Sequence, residues 1–124
     1  MTDLDGFITR YVAIWNEPNP DARHEWIAAT WGERASLFNR VNEYHGHAGI
    51  EEAVKRSYEL FVARGFVFRA RAQPVSHHGA IRFTWEMITT ADGEVDSIGT
   101  QFMVLGEDGR IRLDYQFIET PPTS

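Results

Sequence analysis

The hydrophobic period of the sequence changes near residue 66, and this change limits the chain to one class of fold. Before it, apolar residues recur every three or four positions, as they do on the buried side of an α-helix. After it, they alternate with polar residues, as they do in half-buried strands. Short linkers that contain glycine join the alternating segments, so the second half is predicted to be an antiparallel meander. The segments are residues 66–75, 80–89, 95–105 and 110–119.

The first half of the chain is predicted to contain three helices. The first helix spans residues 4–15, with Asp3 as its N-cap, and the prolines of segment 16–20 prevent its continuation. The second helix begins near Asp21 and ends at Gly32. It is expected to lie beside the first.

The third helix is predicted to span residues 50–64 and to end at Gly65, which is suited to a C-cap. Residues 35–44 alternate loosely and are interpreted as a short strand followed by a loop. Residues 45–49 are predicted to be a second loop that leads into the third helix.

Helices that precede a meander predict an α+β fold, in which the helices pack on one face of a bent sheet. A chain of 124 residues has the usual length of a single domain. We expect one domain over residues 1–119 and a disordered tail over residues 120–124, which contains two prolines.

The charge and composition of the chain disfavour several classes of function. The formal net charge of −6 repels phosphate backbones and anionic membrane surfaces, so neither nucleic acid nor membrane is an expected partner. The sequence has no cysteine, which excludes disulfides, thiolate metal sites and cysteine nucleophiles. The N-terminus is acidic and no apolar run approaches a membrane span, so a cytoplasmic location is expected.

Three short segments, in this order and spacing, resemble a known family. They are residues 11–16 (YVAIWN) in the first helix, residues 46–50 (GHAGI) before the third helix, and residues 109–111 (GRI) at the start of the last strand. The chain is similar along nearly its whole length to the nuclear transport factor 2-like superfamily, and within it to the SnoaL-like bacterial proteins.

The resemblance implies a cone-shaped fold, in which three N-terminal helices roof a curved antiparallel sheet around an apolar pocket. The superfamily includes ketosteroid isomerases, limonene epoxide hydrolases, scytalone dehydratase and polyketide cyclases. It also includes domains that only bind ligands or dimerise. The fold alone therefore does not decide the function.

The side chains that face the cone are predicted from strand alternation and from the resemblance. Alternation places Ile81, Phe83, Trp85 and Met87 inside. On the next strand the resemblance implies that Ile98, Thr100, Phe102 and Val104 face inwards. On the last strand it implies that the alternate residues that include Asp114 and Gln116 face inwards. The apolar residues that alternate with them are then expected to form a homodimer interface. These interface residues are Ile111, Leu113, Tyr115 and Phe117.

Asp114, Tyr11 and His47 are the candidate catalytic residues. A carboxylate in an apolar cavity has a raised pKa, which suits acid–base chemistry near neutral pH. A structural role for Asp114 is the alternative. Tyr11 occupies the position that the resemblance implies for the isomerase tyrosine. His47 is expected near the rim of the cone, where a solvent-exposed loop role is its alternative.

The known catalytic sets of the superfamily do not transfer intact. The isomerase base aligns with Asn39, whose amide cannot abstract a proton, and the second acidic residue of the isomerase aligns with Thr100. Packing is the alternative role for the tryptophans. The residues predicted to contact a ligand are Trp15, Asn39, Phe61, Phe83, Trp85, Met87, Thr100, Phe102 and Gln116.

Two functional hypotheses follow. In the first, the pocket holds a small hydrophobic molecule, with or without cofactor-independent isomerase, cyclase or lyase activity. In the second, the chain is a non-catalytic ligand-binding or dimerisation module with a cone that its own aromatic side chains fill. Neither hypothesis requires a metal ion or a cofactor.

Overall fold

A computed structural model describes residues 3–122, which form three helices and a seven-stranded sheet. The helices and the meander follow the predicted order, whereas residues 43–45 form a strand where a loop was predicted. The helices are α1 (Leu4–Asn16), α2 (Pro20–Thr30) and α3 (Gly46–Leu60), and a 3₁₀ turn (Val62–Arg64) follows α3. The strands are β1 (Trp31–Phe38), β2 (Glu43–His45), β3 (Phe66–Ala70), β4 (Val75–His77), β5 (Ala80–Thr89), β6 (Val95–Leu105) and β7 (Ile111–Thr120).

Local sequence signals set the ends of the first two helices. The Asp3 carboxylate accepts a hydrogen bond from the backbone N–H of Gly6 at 3.0 Å and caps α1, as predicted. Asn19 caps α2 in the same way, and Pro20 occupies the first helical position, where its missing N–H costs nothing. The expectation that α2 ends at Gly32 is wrong, because Trp31 is already extended and pairs with Ile111 of β7.

The third helix begins and ends earlier than predicted. Residues 46–49 form its first turn rather than a loop, since Gly46 adopts a positive φ of 71° that takes the chain directly from β2 into α3. The α-helix ends at Leu60, and the 3₁₀ turn covers residues 62–64. Gly65, with φ of 99°, ends that turn as the predicted left-handed cap.

The sheet is open and mostly antiparallel, with strand order β2-β1-β7-β6-β5-β3. The exception is the parallel pair of β1 and β7, which joins the front half of the chain to the meander. The predicted segment 66–75 is interrupted, because Pro74 lacks an N–H for the ladder. As a result β3 and β4 pair separately with the two ends of β5.

The core lies between the helices and the inner face of this sheet. Ile8, Tyr11 and Ile14 enter it from α1, and Ile50 and Val54 enter it from α3. The sheet contributes the predicted inward row of β5, all of it buried. The members of that row are Ile81, Phe83, Trp85 and Met87.

A β-bulge reverses the predicted faces of β6. Met87 pairs with Ser97 but the next residue of β5, Ile88, pairs with Val95, so Asp96 is an additional residue on β6. The residues facing the cone are therefore Ser97, Gly99, Gln101 and Met103. The expectation that Ile98, Thr100, Phe102 and Val104 face inwards is wrong.

A second bulge alters the start of β7. Leu105 pairs with Ile111 and Val104 with Leu113, which leaves Arg112 as the additional residue. Ile111 and Asp114 can therefore both be fully buried. Ile111 is a core residue with 0 % exposure, so its predicted place in a dimer interface is wrong.

The last strand extends into the segment that was predicted to be the tail. Thr120 is the last residue of β7, so the predicted disordered tail begins one residue too early, and residues 123–124 lie outside the described range. Among residues 3–122, no helix combines the length and apolar character needed to cross a bilayer.

Candidate functional site

Asp114 lies at the centre of a buried polar cluster, which we define as Tyr11, Gln101 and Asp114. The Asp114 side chain is 0 % exposed. The Tyr11 hydroxyl donates to Oδ2 of Asp114 at 2.7 Å, and Nε2 of Gln101 donates to Oδ1 at 2.7 Å. Nε2 of Gln101 also lies 3.0 Å from the Tyr11 oxygen. The α1 helix and strands β6 and β7 thus each contribute one member of the cluster.

Trp85 determines the orientation of the Gln101 amide. Its indole Nε1 lies 3.0 Å from Oε1 of Gln101, and an indole nitrogen can only donate. The amide oxygen must therefore face Trp85, and the amide NH₂ group must face Asp114 and Tyr11. This one contact sets the direction of both hydrogen bonds that the Gln101 NH₂ group makes.

Gly99 makes room for the Trp85 indole. The two residues pair directly across β5 and β6, on the face that lines the cone. A Cβ atom at position 99 would overlap with Cζ2 and Cε2 of the indole. The indole therefore packs directly against Gly99, and from this position its Nε1 reaches Gln101.

Burial changes the acidity of both ionisable members of the cluster. Desolvation raises the pKa of Asp114 to about 6, although the hydrogen bonds from Tyr11 and Gln101 oppose the shift. Burial and the neighbouring Asp114 raise the pKa of Tyr11 well above its usual range. Tyr11 therefore stays protonated and acts as a hydrogen-bonding group, whereas Asp114 titrates close to neutral pH.

Two buried indole N–H groups border the cluster. The Trp15 N–H favours the ionised form of Tyr11, and the Trp31 N–H favours that of Asp114. Both nitrogens are buried, and among residues 3–122 neither makes a hydrogen bond of normal geometry. Each lies near an acceptor of the cluster, Trp15 near the Tyr11 oxygen and Trp31 near Asp114.

A small cavity adjoins the cluster. Its volume is about 30 Å³, close to the space that one water molecule needs. Tyr11 and Gln101 contribute to its wall, whereas Asp114 lies behind them. The residues that line this inner cavity are Tyr11, Val12, Trp15, Ser57, Phe68, Phe83, Trp85, Gln101 and Gln116.

A larger opening lies next to the inner cavity, towards the ends of α3 and β1. This vestibule has a volume of about 220 Å³ and is lined in part by Asn39, Tyr44, Arg56 and Phe61. It shares Trp15, Ser57 and Gln116 with the wall of the inner cavity. These three side chains therefore stand between the vestibule and the polar cluster.

The three predicted catalytic residues do not form one group. Tyr11 and Asp114 are in contact. His47 lies in the first turn of α3, where its Nε2 donates to the carbonyl oxygen of Trp31 at 2.6 Å. Among the residues that the structure describes, His47 lines neither the inner cavity nor the vestibule.

The predicted ligand contacts lie in four separate places. Trp15, Phe83, Trp85 and Gln116 line the inner cavity, and Asn39 and Phe61 line the vestibule. Met87 is buried in the core. Because of the bulge in β6, Thr100 and Phe102 lie on the outer face of the sheet, and Phe102 is 38 % exposed there. Their predicted place in the pocket is therefore wrong.

Sequence reasoning missed Gln101, the residue that joins Asp114 to Trp85. A signal for it exists in the sequence, since a glycine inside a strand often marks a close approach by another group. Gly99 is such a residue. Pairing it with the large Trp85 across the hairpin would have placed Gln101 on the same inner face.

The structural comparisons agree on the fold. A SnoaL-like family protein from Agrobacterium tumefaciens strain C58, proposed to be an isomerase, superposes with a TM-score of 0.87 at 26% identity over 96% of this chain and 99% of that chain. A nuclear transport factor 2-like protein from Exiguobacterium sp. 255-15 gives 0.71 at 17% identity over 91% and 98%. A protein from Sinorhizobium meliloti, proposed to be a polyketide cyclase, gives 0.70 at 14% identity over 92% and 95%.

The sequence comparisons are less informative. No protein-family model matches the chain, and no curated protein matches its sequence significantly. The assignment therefore depends on the agreement of fold over nearly the full length of these structures. The chain therefore has the fold of the nuclear transport factor 2-like superfamily, and it is similar over nearly its full length to a SnoaL-like family protein.

Proposed function

We propose that the chain binds a small, largely apolar molecule that carries one polar oxygen. The oxygen occupies the inner cavity beside Tyr11 and Gln101, and the carbon skeleton occupies the vestibule. The observation that carries the proposal is the buried polar cluster at the wall of an otherwise aromatic cavity. Apolar cavities with a few convergent polar groups are the usual form of small-molecule sites.

The cost of burying Asp114 supports a role beyond packing. A buried carboxylate loses its hydration, and a well-packed apolar residue would often be at least as stable in its place. Groups with strongly shifted pKa values cluster at functional sites. We therefore propose Tyr11 as the residue that contacts the ligand and Asp114 as the residue that orients Tyr11. Any acid–base step would pass through the Tyr11 hydroxyl, and His47 would act only by supporting Trp31.

The size of the two spaces limits the ligand. Sites for drug-sized molecules usually have volumes of about 300 Å³ or more. The inner cavity and the vestibule are both smaller, at about 30 and 220 Å³. A ligand with one or two rings fits these spaces if the Trp15 side chain moves, because Trp15 lies on the wall of both.

Blocking the passage between the two spaces tests this proposal. A library of one- and two-ring alcohols, ketones and epoxides is titrated into the protein while the indole N–H signals are followed by NMR. We expect binding in the range of about 0.1–1 mM for ligands of this size. Ser57→Trp fills the junction and should abolish binding. Glu59→Trp, on the exposed side of the same helix, is the matched control and should leave binding intact. Equal binding by Ser57→Trp would contradict the proposal.

We also propose that two copies of the chain pair through the outer face of β6 and β7. Tyr115 stacks on Phe38 with ring centroids 4.9 Å apart, and Phe102 lies 6.5 Å away on the other side. Phe117 continues this row and is 55 % exposed. Leu113 lies on the same face, next to Val104. Exposed apolar patches of this kind commonly mark interfaces, and a twofold dimer would cover both copies at once.

Phe117→Glu is expected to weaken this dimer by at least about 30-fold, since it buries a charge in the proposed interface. Sedimentation velocity over a concentration series measures the dissociation constant. Leu60→Glu is the control, because Leu60 is 45 % exposed at the end of α3, on the helical side. A wild-type protein that stays monomeric at 100 µM, on the order of the concentration at which weak dimers form, would refute this pairing.

A further inference from the structure

We propose that the inner cavity selects a hydroxyl group over a carbonyl group of the same carbon skeleton. The proposal deepens the function proposed above and depends on it. It names the ligand class, an alcohol or a phenol, from the direction of the hydrogen bonds in the polar cluster.

The hydrogen atoms of the cluster are already committed. The indole N–H of Trp85 is used by the Gln101 oxygen. The two hydrogens of the Gln101 NH₂ group are used by Asp114 and by the Tyr11 oxygen. An ionised Asp114 can only accept, so the Tyr11 hydroxyl donates its hydrogen to Oδ2 of Asp114. The cluster therefore has no hydrogen left to donate to a ligand.

The Tyr11 oxygen is the hydrogen-bond acceptor that the cluster presents to the cavity. The Tyr11 oxygen has two lone pairs, of which Gln101 occupies one. A ligand hydroxyl can donate to the second lone pair. A carbonyl oxygen in the same place would instead face that lone pair without a hydrogen between them, and the contact would be repulsive.

The other polar groups of the wall fit a hydroxyl as well. The buried N–H of Trp15 lies near the Tyr11 oxygen but makes no hydrogen bond of normal geometry within residues 3–122, so it can donate to the ligand oxygen. A hydroxyl would accept from Trp15 and donate to Tyr11 at the same time, whereas a carbonyl could satisfy only Trp15. Ser57 and Gln116 can both donate and accept, so they do not discriminate between the two ligands.

The direction of the hydrogen bonds requires an ionised Asp114, which accepts at both oxygens. Burial raises its pKa to about 6, so the carboxylate form predominates at pH 8. Besides burial, the groups that act on its pKa are Tyr11 on α1, Gln101 on β6 and Trp31 on β1, and each of them favours the ionised form. The geometry and the charge state therefore agree at this pH.

The same geometry predicts that Asp114→Asn reverses the selectivity. Trp85 holds the Gln101 NH₂ group towards position 114, so the new amide must turn its oxygen to Gln101. Its NH₂ group then faces Tyr11 and donates to the Tyr11 oxygen. The Tyr11 hydrogen, displaced from position 114, becomes free to donate into the cavity, where a carbonyl is the better ligand.

The test compares cyclohexanol with cyclohexanone, which share one skeleton, by NMR titration at pH 8. We expect the wild type to bind the alcohol at least about tenfold more tightly than the ketone, and Asp114→Asn to bind the ketone more tightly. Tyr11→Phe removes the acceptor and should bring the ratio close to one.

The possible results are distinct. A wild-type ratio near one, or a preference for the ketone, overturns the selectivity while leaving the ligand site intact. An unchanged alcohol preference in Tyr11→Phe also overturns it, and this variant decides the question if Asp114→Asn does not fold. If neither compound nor any other member of the library binds the wild type, the proposed function fails and the selectivity fails with it.

Discussion

The free energy of unfolding of the wild-type protein is expected to fall, relative to that of Asp114→Asn, by about 3 kcal/mol as the pH rises from about 4 to about 6. The folded state raises the pKa of Asp114 from 3.8 to about 6, so it favours the protonated carboxyl. This contribution is fully present below pH 3.8, the unfolded value, and is lost as the pH passes through the folded value. Above that range the difference between the two proteins should be constant.

Urea unfolding at a series of pH values measures this difference. Comparing the two proteins at each pH is necessary because other groups titrate as well. Hydrogen bonds lower the pKa of Asp92 and of Asp108, so their contributions are lost on acidification and have the opposite sign. Both residues are present in each protein, so their effects cancel. A difference that does not change with pH would mean that Asp114 is not desolvated in the fold.

Gly99→Ala is expected to destabilise the protein by about 3 kcal/mol, at the upper end of the usual cost of overpacking a core. The added methyl would overlap with the Trp85 indole, which packs directly against Gly99. The indole must then move, and its hydrogen bond to Gln101 is lost with it. The polar cluster would lose its fixed orientation in addition to its packing, so ligand selectivity should also be lost.

Gly32→Ala is the matched control for this effect. Gly32 also lies in a strand, but an added Cβ would be 3.6 Å from the Ile111 carbonyl oxygen, an ordinary contact. We expect its unfolding free energy to change by less than about 1 kcal/mol. Gly99→Ala should also cost less in a Trp85→Phe background, where the indole is absent. Equal costs at positions 99 and 32 would show that the indole can shift without loss.

The front half of the fold could be predicted largely from local signals. Asp3 caps α1 as expected, and Gly65 ends the turn after α3 with a left-handed conformation. These predictions hold because the capping groups and the dihedral preference of glycine act within a few residues. The start of α3 was missed because a helix that follows a strand without a loop has no separate signal; only the positive φ of Gly46 marks it.

The site could be predicted only in part. Asp114 was singled out as a residue that faces the cone, and the structure buries it next to Tyr11, about a hundred residues away in the chain. Gln101, which sets hydrogen-bond directions in the cluster, was assigned to the wrong face. A regular ladder from the pair of Ile88 and Val95 would indeed put Thr100 inside. The bulge at Asp96 moves every later residue of β6 to the other face.

The sequence by itself determined the order of the elements, the positions of the hairpins and the inward row of β5, because periodicity and turn chemistry are local properties. The tertiary structure alone decided which residues of β6 and β7 face the cone. The hydrophobic residues of a strand still alternate before and after a bulge, so the sequence pattern does not reveal it. The bulge in β6 accompanies the curvature of the sheet and the packing of Trp85 on Gly99. The polar cluster depends on that choice of face, so it could be identified only once the strands were paired.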